Sequence, residues 1–264
     1  MHLGRGAERF ADRVDAGRAL GALVARWLDD RADVLVLGLP RGGVPVAAQV
    51  ARVVGAPLDV LLVRKIGVPG QPELAMGAVA AVGSGDPDAV EVVTNRPVLD
   101  RLHIPDAVFR SVLGQELVEL RRRAHAYRGE RPPPVVRGRT VIIVDDGLAT
   151  GSTMLAAVAA VRRQDPAGVL VAVPVGAPET CEALRHGADG GIDDVICAIA
   201  PRAFHAVHQG YDDFRQTSDE EVLACLTYHL GRMSPPGDRG RARPGFGPDG
   251  SVEESPGSTG QGGC

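Results

Sequence analysis

Two adjacent carboxylates followed by a loop of small residues and hydroxyls carry the clearest chemistry in this sequence: Val141 to Thr153 reads VIIVDDGLATGST. Val141 to Val144 are continuously apolar and β-branched, the pattern of a strand covered on both faces in a parallel sheet. Asp145 and Asp146 then fall outside the carboxyl end of that strand, where open α/β sheets bind ligands. Carboxylates in that position accept hydrogen bonds from sugar hydroxyls. Gly147 and Gly151 let the backbone turn and approach a ligand, and the amides and hydroxyls of Thr150, Gly151, Ser152 and Thr153 can surround a phosphate. The spacing of Leu155, Val158, Ala159 and Arg162 predicts a helix beginning there, with its positive N-terminal end toward the same anion. These parts suit a phosphorylated sugar. A Walker A loop is excluded, because Gly147 to Gly151 is too short and no Lys follows Gly151.

Two further segments offer charge. Val34 to Gly38 (VLVLG) reads as a short buried strand, followed by Leu39-Pro40-Arg41-Gly42-Gly43 and a helical pattern from Val44 to Val54. A pyrophosphate needs close backbone amides and a fixed cation, and Arg41 with Gly42 and Gly43 supplies both. The same residues also make an ordinary turn. Downstream, Val60 to Ala80 (VLLVRKIGVPGQPELAMGAVA) reads as a strand ending in Arg64-Lys65, then a stretch punctuated by Gly67, Pro69, Gly70 and Pro72. That composition predicts a mobile loop. Taken alone, a basic pair at a strand end is equally a solvated surface feature.

Together these segments resemble the type I phosphoribosyltransferases, a family marked by an apolar strand, two acids, a short spacer and a small-Thr-Gly-small-Thr loop. The resemblance covers roughly Asp12 to Leu230. It implies that Asp145 and Asp146 hold the 2- and 3-hydroxyls of 5-phosphoribosyl-1-pyrophosphate (PRPP). Gly147, Ala149, Thr150, Gly151, Ser152 and Thr153 would then surround its 5-phosphate, and Arg41, Gly42 and Gly43 its pyrophosphate. Family members close a flexible loop over PRPP, which excludes water from an oxocarbenium-like transition state. On that basis Lys65 is the candidate for neutralising the departing pyrophosphate, Arg64 its neighbour, and Glu73 a candidate acid or base for the incoming nucleophile.

The reaction implied is displacement of pyrophosphate at C1 of PRPP by a nitrogenous base, a glycosyl transfer of nucleotide metabolism. Mg²⁺ would arrive with PRPP, without a dedicated protein cage. A non-catalytic PRPP or nucleotide sensor and a sugar-phosphate hydrolase or phosphorylase would use the same cradle and stay open, as does a homodimer. Where the 6-oxopurine members carry an Asp before the Thr-Gly of the loop, this chain has Ala149, which cannot exchange a proton. That argues against hypoxanthine and guanine. An Ala-Thr-Gly loop is similar to the adenine branch, but the insert over 95–134 is foreign to the compact adenine enzymes, so the acceptor stays unassigned.

The elements that must position these residues follow from periodicity. Asp12 to Leu28 reads as an amphipathic helix capped by Asp12, with Leu20, Val24, Trp27 and Leu28 on one stripe. Strands are expected at Val34 to Gly38, Leu58 to Val63, Met76 to Val82 and Glu91 to Thr94. A long helix is expected from Asp106 to Tyr127, then strands at Gly168 to Val175 and Val195 to Ile199 around a helix from Pro178 to His186. The alternation predicts an α/β fold with a mainly parallel sheet flanked by helices. Its domain spans 1–230, and the segment over 201–230 is the candidate for the hood that covers the acceptor base in the family. Phe204 and Tyr211 are its stacking candidates, although they would serve equally to pack the last helix. Ser218 to Glu221 starts that helix as a capping box, and the Gly-, Pro- and Ser-rich tail over 231–264 is expected to be disordered.

Composition removes other classes. A 264-residue chain with 44% hydrophobic residues can bury a full α/β core, and a net charge of −4 gives no general pull toward nucleic acid or anionic membrane. Aromatics at 3% are too few for interleaved base-stacking platforms. The absence of a long apolar run predicts a cytoplasmic protein without a membrane span. Cys181, Cys197, Cys225 and Cys264 show no C-x-x-C spacing and are expected to be reduced thiols.

Overall fold

The computed structural model describes residues 9–29, 33–81, 90–186 and 191–233, and of Pro72, Glu73 and residues 230–233 the backbone only. In chain order the elements are α1 (Arg13–Leu28), β1 (Val34–Gly38), α2 (Gly43–Val54), β2 (Leu58–Val60), β3 (Leu62–Val68), β4 (Gln71–Ala81) and β5 (Glu91–Thr94). They continue with α3 (Arg96–Arg101), α4 (Asp106–Arg128), β6 (Thr140–Val144), α5 (Ser152–Arg162), β7 (Gly168–Val175), α6 (Pro178–His186), β8 (Asp194–Ile199), a 3₁₀ turn (Val207–Gly210) and α7 (Asp219–Met233). From residue 234 the expected tail lies outside the described residues, and α7 itself runs past the boundary expected at 230.

Continuous apolar runs make the central sheet. Its order is β2-β1-β6-β7-β8, with every neighbouring pair parallel. All residues of β6 and β7 are buried, as strands covered on both faces must be. One face, with Val36, Ile142, Val144, Leu170 and Ile196, packs against α1, α2 and α7. The other, with Leu35, Leu37, Val141, Ile143 and Val171, meets α5 and α6. This is the mainly parallel α/β architecture expected. Asp12 caps α1 by accepting the Asp15 N–H at 2.8 Å, and Ser218 and Glu221 exchange the two bonds of a capping box at α7. Cys181 and Cys197 meet, buried and not disulfide-bonded, between α6 and β8.

A second sheet, β3-β4-β5, is antiparallel and stands apart from the parallel sheet expected from the strand-helix alternation. The apolar run expected as one strand from Leu58 to Val63 is divided at Leu61, whose N–H donates to the Gly38 carbonyl at 2.9 Å. Before it, β2 edges the parallel sheet; after it, β3 leaves for the second sheet. The stretch expected to be a mobile loop is a hairpin turning at Pro69-Gly70, where Gly70 has φ +78°. Pro followed by a residue of positive φ suits a tight turn. Alternation decides the rest: Ile66 and Val68 on β3, with Met76 on β4, are buried under Phe109, Val112 and Leu113 of α4.

The α3–α4 segment therefore backs the hairpin. The end of α4 is anchored to the central sheet by Arg128, which is buried, donates to both oxygens of Asp59 at 3.3 Å and to the Val60 carbonyl at 2.5 Å. The basic run on α4 is partly paired along its own helix, with Arg122 and Arg123 both bonded to Glu119, which holds the Glu119 carboxyl down at about 2.

Candidate functional site

Parallel pairing of β1 with β6 sets Gly38 beside Val144, so the loops that follow them leave the sheet side by side. Leu39 N–H joins the two by donating to the Val144 carbonyl at 2.9 Å, and within the first loop Gly43 N–H donates to the Leu39 carbonyl at 3.0 Å. The Pro40–Arg41 peptide is cis. At Gly43, the first residue of α2, a β-carbon would come within 2.8 Å of the Val144 carbonyl and the Asp145 backbone. At Gly42 it would overlap the Asp146 carboxylate. Real Cβ atoms do not approach so closely, so the two glycines are what lets the Arg41 loop and the acidic pair share one place.

Asp145 accepts the Asp146 N–H at 2.8 Å. Burial pushes the Asp145 carboxyl well above the ordinary Asp range, and the charge of Asp146 pushes it the same way; the Asp146 N–H and Arg13 oppose both. Asp146 is held from two sides. Arg13, on the first turn of α1, donates through Nε and an Nη to Oδ2 at 2.9 and 2.7 Å. Tyr211 donates its hydroxyl to the Asp146 carbonyl at 2.6 Å. Arg13 had no place among the residues expected from sequence, because an Arg one position after a helix cap carries no local signal of a partner 133 residues away.

The phosphate-type loop follows directly. Leu148 pairs with the chain after β7, donating to the Val175 carbonyl and accepting from Ala177 N–H, both at 2.8 Å. Thr180 on α6 donates to the Ala149 carbonyl at 2.6 Å. Gly151, with φ +74°, begins α5 without a side-chain cap, so no protein side chain at that position competes for the helix's first amides. Thr150 and Ser152 bring their hydroxyl oxygens to 3.4 Å from each other, and Ala149, Thr150 and Thr153 are exposed. Gly147 approaches Val207 of the 3₁₀ turn so closely that a β-carbon would overlap that side chain.

The remaining candidates separate. Arg41 lies 3.9 Å from Asp219 at the start of α7, and Asp219 also accepts the Tyr127 hydroxyl at 2.5 Å; burial, with that bond, raises the phenol to about 12. Arg64 and Lys65 are inside β3 and point to opposite faces. Arg64 turns to α4 and pairs with Glu116 at 2.6 Å. Lys65 shares the face of Val63, which packs with the core on the α5 side. A cleft of about 870 Å³ on that side is lined by Ala78, Asn95, Ser152, Leu155 and Arg162. The side chain of Glu73 lies outside the described residues.

Of the aromatic candidates, Phe204 is half-buried and Tyr211 is buried, its ring 6.1 Å from that of Phe10 and 4.9 Å from that of Phe214. Tyr211 therefore has no free face for a stacked base. Its hydroxyl points to the Asp146 backbone, and burial drives its pKa upward. Among the described residues no group of three or more His, Cys, Asp or Glu could hold a metal, and no helix is long and apolar enough to cross a membrane.

The chain is similar to known proteins over most of its length. The chain is 46% identical over 217 residues to "Putative phosphoribosyl transferase Rv0571c" of Mycobacterium tuberculosis H37Rv and, to the same extent, to "Putative phosphoribosyl transferase MT0597" of strain CDC 1551. That match takes in 82% of this chain but 46% of each relative, so the chain spans about half the length of the curated relatives it matches. A crystal structure of TT1426 from Thermus thermophilus superposes with a TM-score of 0.71 at 42% identity, covering 83% of this chain and 98% of that one. The family model described as "Phosphoribosyl transferase domain" matches residues 11–203, from the start of α1 through the acidic pair and the phosphate-type loop to the end of β8, and the chain belongs to that family.

Proposed function

We propose that the protein transfers the 5-phosphoribosyl group of PRPP to a nitrogenous base and releases pyrophosphate. The observation that carries this reading is the fit of Gly42 and Gly43 against Asp146 and Asp145, which brings the backbone of the Arg41 loop next to two carboxylates. Beside them the Thr150–Thr153 loop begins α5. A molecule with a pyrophosphate, vicinal hydroxyls and a terminal phosphate has a partner for each group.

In this reading Asp145 and Asp146 accept the ribose 2- and 3-hydroxyls and orient C1, while the loop amides and hydroxyls hold the 5-phosphate. Arg41 and the amides of Gly42 and Gly43 bind the pyrophosphate before and after the C1–O bond breaks. Most of the acceleration comes from holding groups around a cationic sugar and an anionic leaving group. The carboxylates of Asp145 and Asp146 are hard oxygen donors of the kind Mg²⁺ accepts, and they are where the chain would meet a metal carried by PRPP. When bound, that ion supplies charge neutralisation to the pyrophosphate.

Lys65 on the hairpin is the chain's candidate cation for the leaving charge, and Glu73 the candidate for the acceptor's proton. Because α4 backs the hairpin, its approach to the substrate is a movement of β3 and β4 about their sheet. Phe204 is the aromatic residue available to an acceptor base.

The test is pyrophosphate release at fixed PRPP and Mg²⁺ across adenine, hypoxanthine, guanine, xanthine, uracil, orotate and nicotinate. Release that depends on one base supports transfer. Release without any base identifies a hydrolase, and PRPP binding with no release across the panel identifies a sensor.

A further inference from the structure

Arg13 is built into the site more firmly than a surface pair requires. Its side chain is 11% exposed and that of Asp146 18%. Besides its two bonds to Asp146 Oδ2, it donates to the Arg215 carbonyl at 2.7 Å and lies over the Phe214 ring, 4.0 Å from the centroid. Stacking on a ring fixes the plane of a guanidinium, and its Nε and Nη then fix where the carboxylate oxygen they share must sit. Phe214 in turn packs on Tyr211, whose hydroxyl bonds the Asp146 carbonyl. The result is a closed circuit that holds one aspartate by its side chain and its backbone at once.

Both Arg13 bonds go to the same oxygen, Oδ2, the one that also faces Gly42. Neither uses Oδ1. The charge of Arg13 also opposes the mutual repulsion of Asp145 and Asp146, which otherwise disfavours two ionised carboxylates side by side.

We propose that Arg13 is a positioning residue of the ribose site, clamping Asp146 through Oδ2 so that Oδ1 is presented to a ribose hydroxyl. The inference rests on the phosphoribosyl-transfer reading above, and it assigns to the first helix a part in substrate binding that the acidic pair and its loop do not supply. Lysine cannot replace it fully, because an ammonium carries the charge without the planar fork.

The experiment is calorimetric titration of the full chain with three probes: PRPP with Mg²⁺, ribose 5-phosphate, and pyrophosphate with Mg²⁺. Arg13→Met is expected to weaken PRPP and ribose 5-phosphate by about tenfold or more, the loss expected when a hydrogen bond to a charged group is misplaced. Pyrophosphate, which meets the Arg41 loop, should stay within about twofold, well under the tenfold that a lost charged bond produces. Arg13→Lys should recover part of the ribose 5-phosphate affinity. Phe214→Leu, which keeps the charge and removes the ring, should repeat the pattern more weakly, and it serves if Arg13→Met does not fold.

Equal loss of all three probes would mean general damage and overturn the proposal. So would unchanged or tighter ribose 5-phosphate binding by Arg13→Met, the latter identifying Arg13 as a competitor for Asp146. A wild-type protein that binds none of the probes would instead overturn the phosphoribosyl reading on which the proposal stands.

Discussion

Gly42 rests against Asp146 so closely that residue 42 cannot carry a β-carbon without displacing the carboxylate. The two residues come from loops more than a hundred positions apart, and their contact joins the expected pyrophosphate loop to the expected ribose acids. Gly42→Ala should therefore act on ligand binding more than on the fold, since residue 42 is half-buried at the site and outside the packed faces of the sheet. PRPP affinity is expected to fall by about tenfold to a hundredfold. Titration beside a melting curve checks this, and unchanged affinity would separate the two loops functionally.

Asp145 yields a prediction about pH. Its folded-state carboxyl is raised by burial and by Asp146, so the unfolded chain ionises first as pH rises, and the folded state loses stability from the ordinary Asp range upward through the raised value. Asp145→Asn removes that loss and can keep the acceptor for the Asp146 N–H. The variant should melt above wild type at neutral pH, with the difference shrinking on acidification toward the ordinary Asp range, while PRPP binding drops. A variant that melts lower at neutral pH would contradict the direction.

Arg64 and Lys65, adjacent in sequence, should behave oppositely. Arg64→Ala loses its pair with Glu116 of α4, so it should cost about 1 kcal/mol or less of stability and leave kcat nearly unchanged. Lys65→Ala should lower kcat by about a hundredfold with a smaller change in KM, if it acts on the leaving charge. Steady-state kinetics and thermal melts of both variants decide it; equal kinetic losses would return Arg64 to the site.

With Ala149 where a proton-handling acid would stand, hypoxanthine and guanine should be poor acceptors. The missing general acid-base assistance corresponds to about 10²- to 10⁴-fold in rate. The Ala149 carbonyl is already engaged by Thr180, which leaves the position no other group for the task than its N–H. Efficient turnover of either base by the wild-type protein would sink this argument.

Local order decided what could be read from the chain directly. The strand from Val141, the acids after it, the phosphate-type loop and the helix it starts are contiguous, so the apolar run and its spacing define them without long-range information. The same holds for the caps at Asp12 and Ser218 and for the long helix from Asp106, whose expected and observed limits differ by one residue at the C-terminal end. The parallel sheet followed from alternation of such segments.

What tertiary structure alone decided are the contacts among segments distant in sequence. The apolar run after Leu58 contains nothing to say that it changes sheets at Leu61; that depends on a bond to Gly38. Gly67, Pro69 and Gly70 read equally as a loop and as a hairpin, and burial of Ile66, Val68 and Met76 beneath α4 selects the hairpin. Arg64 and Lys65 are alike in type and adjacent in order, yet the two-residue period of a strand sends them to opposite faces. Tyr211 was as plausible a stacking ring as Phe204 until packing enclosed it, and Arg13 became part of the site because α1 lies where its guanidinium reaches Asp146. Sequence determined which chemical groups were present and in which local conformations; only packing determined which of them face one another, because that depends on how whole elements bury their apolar faces.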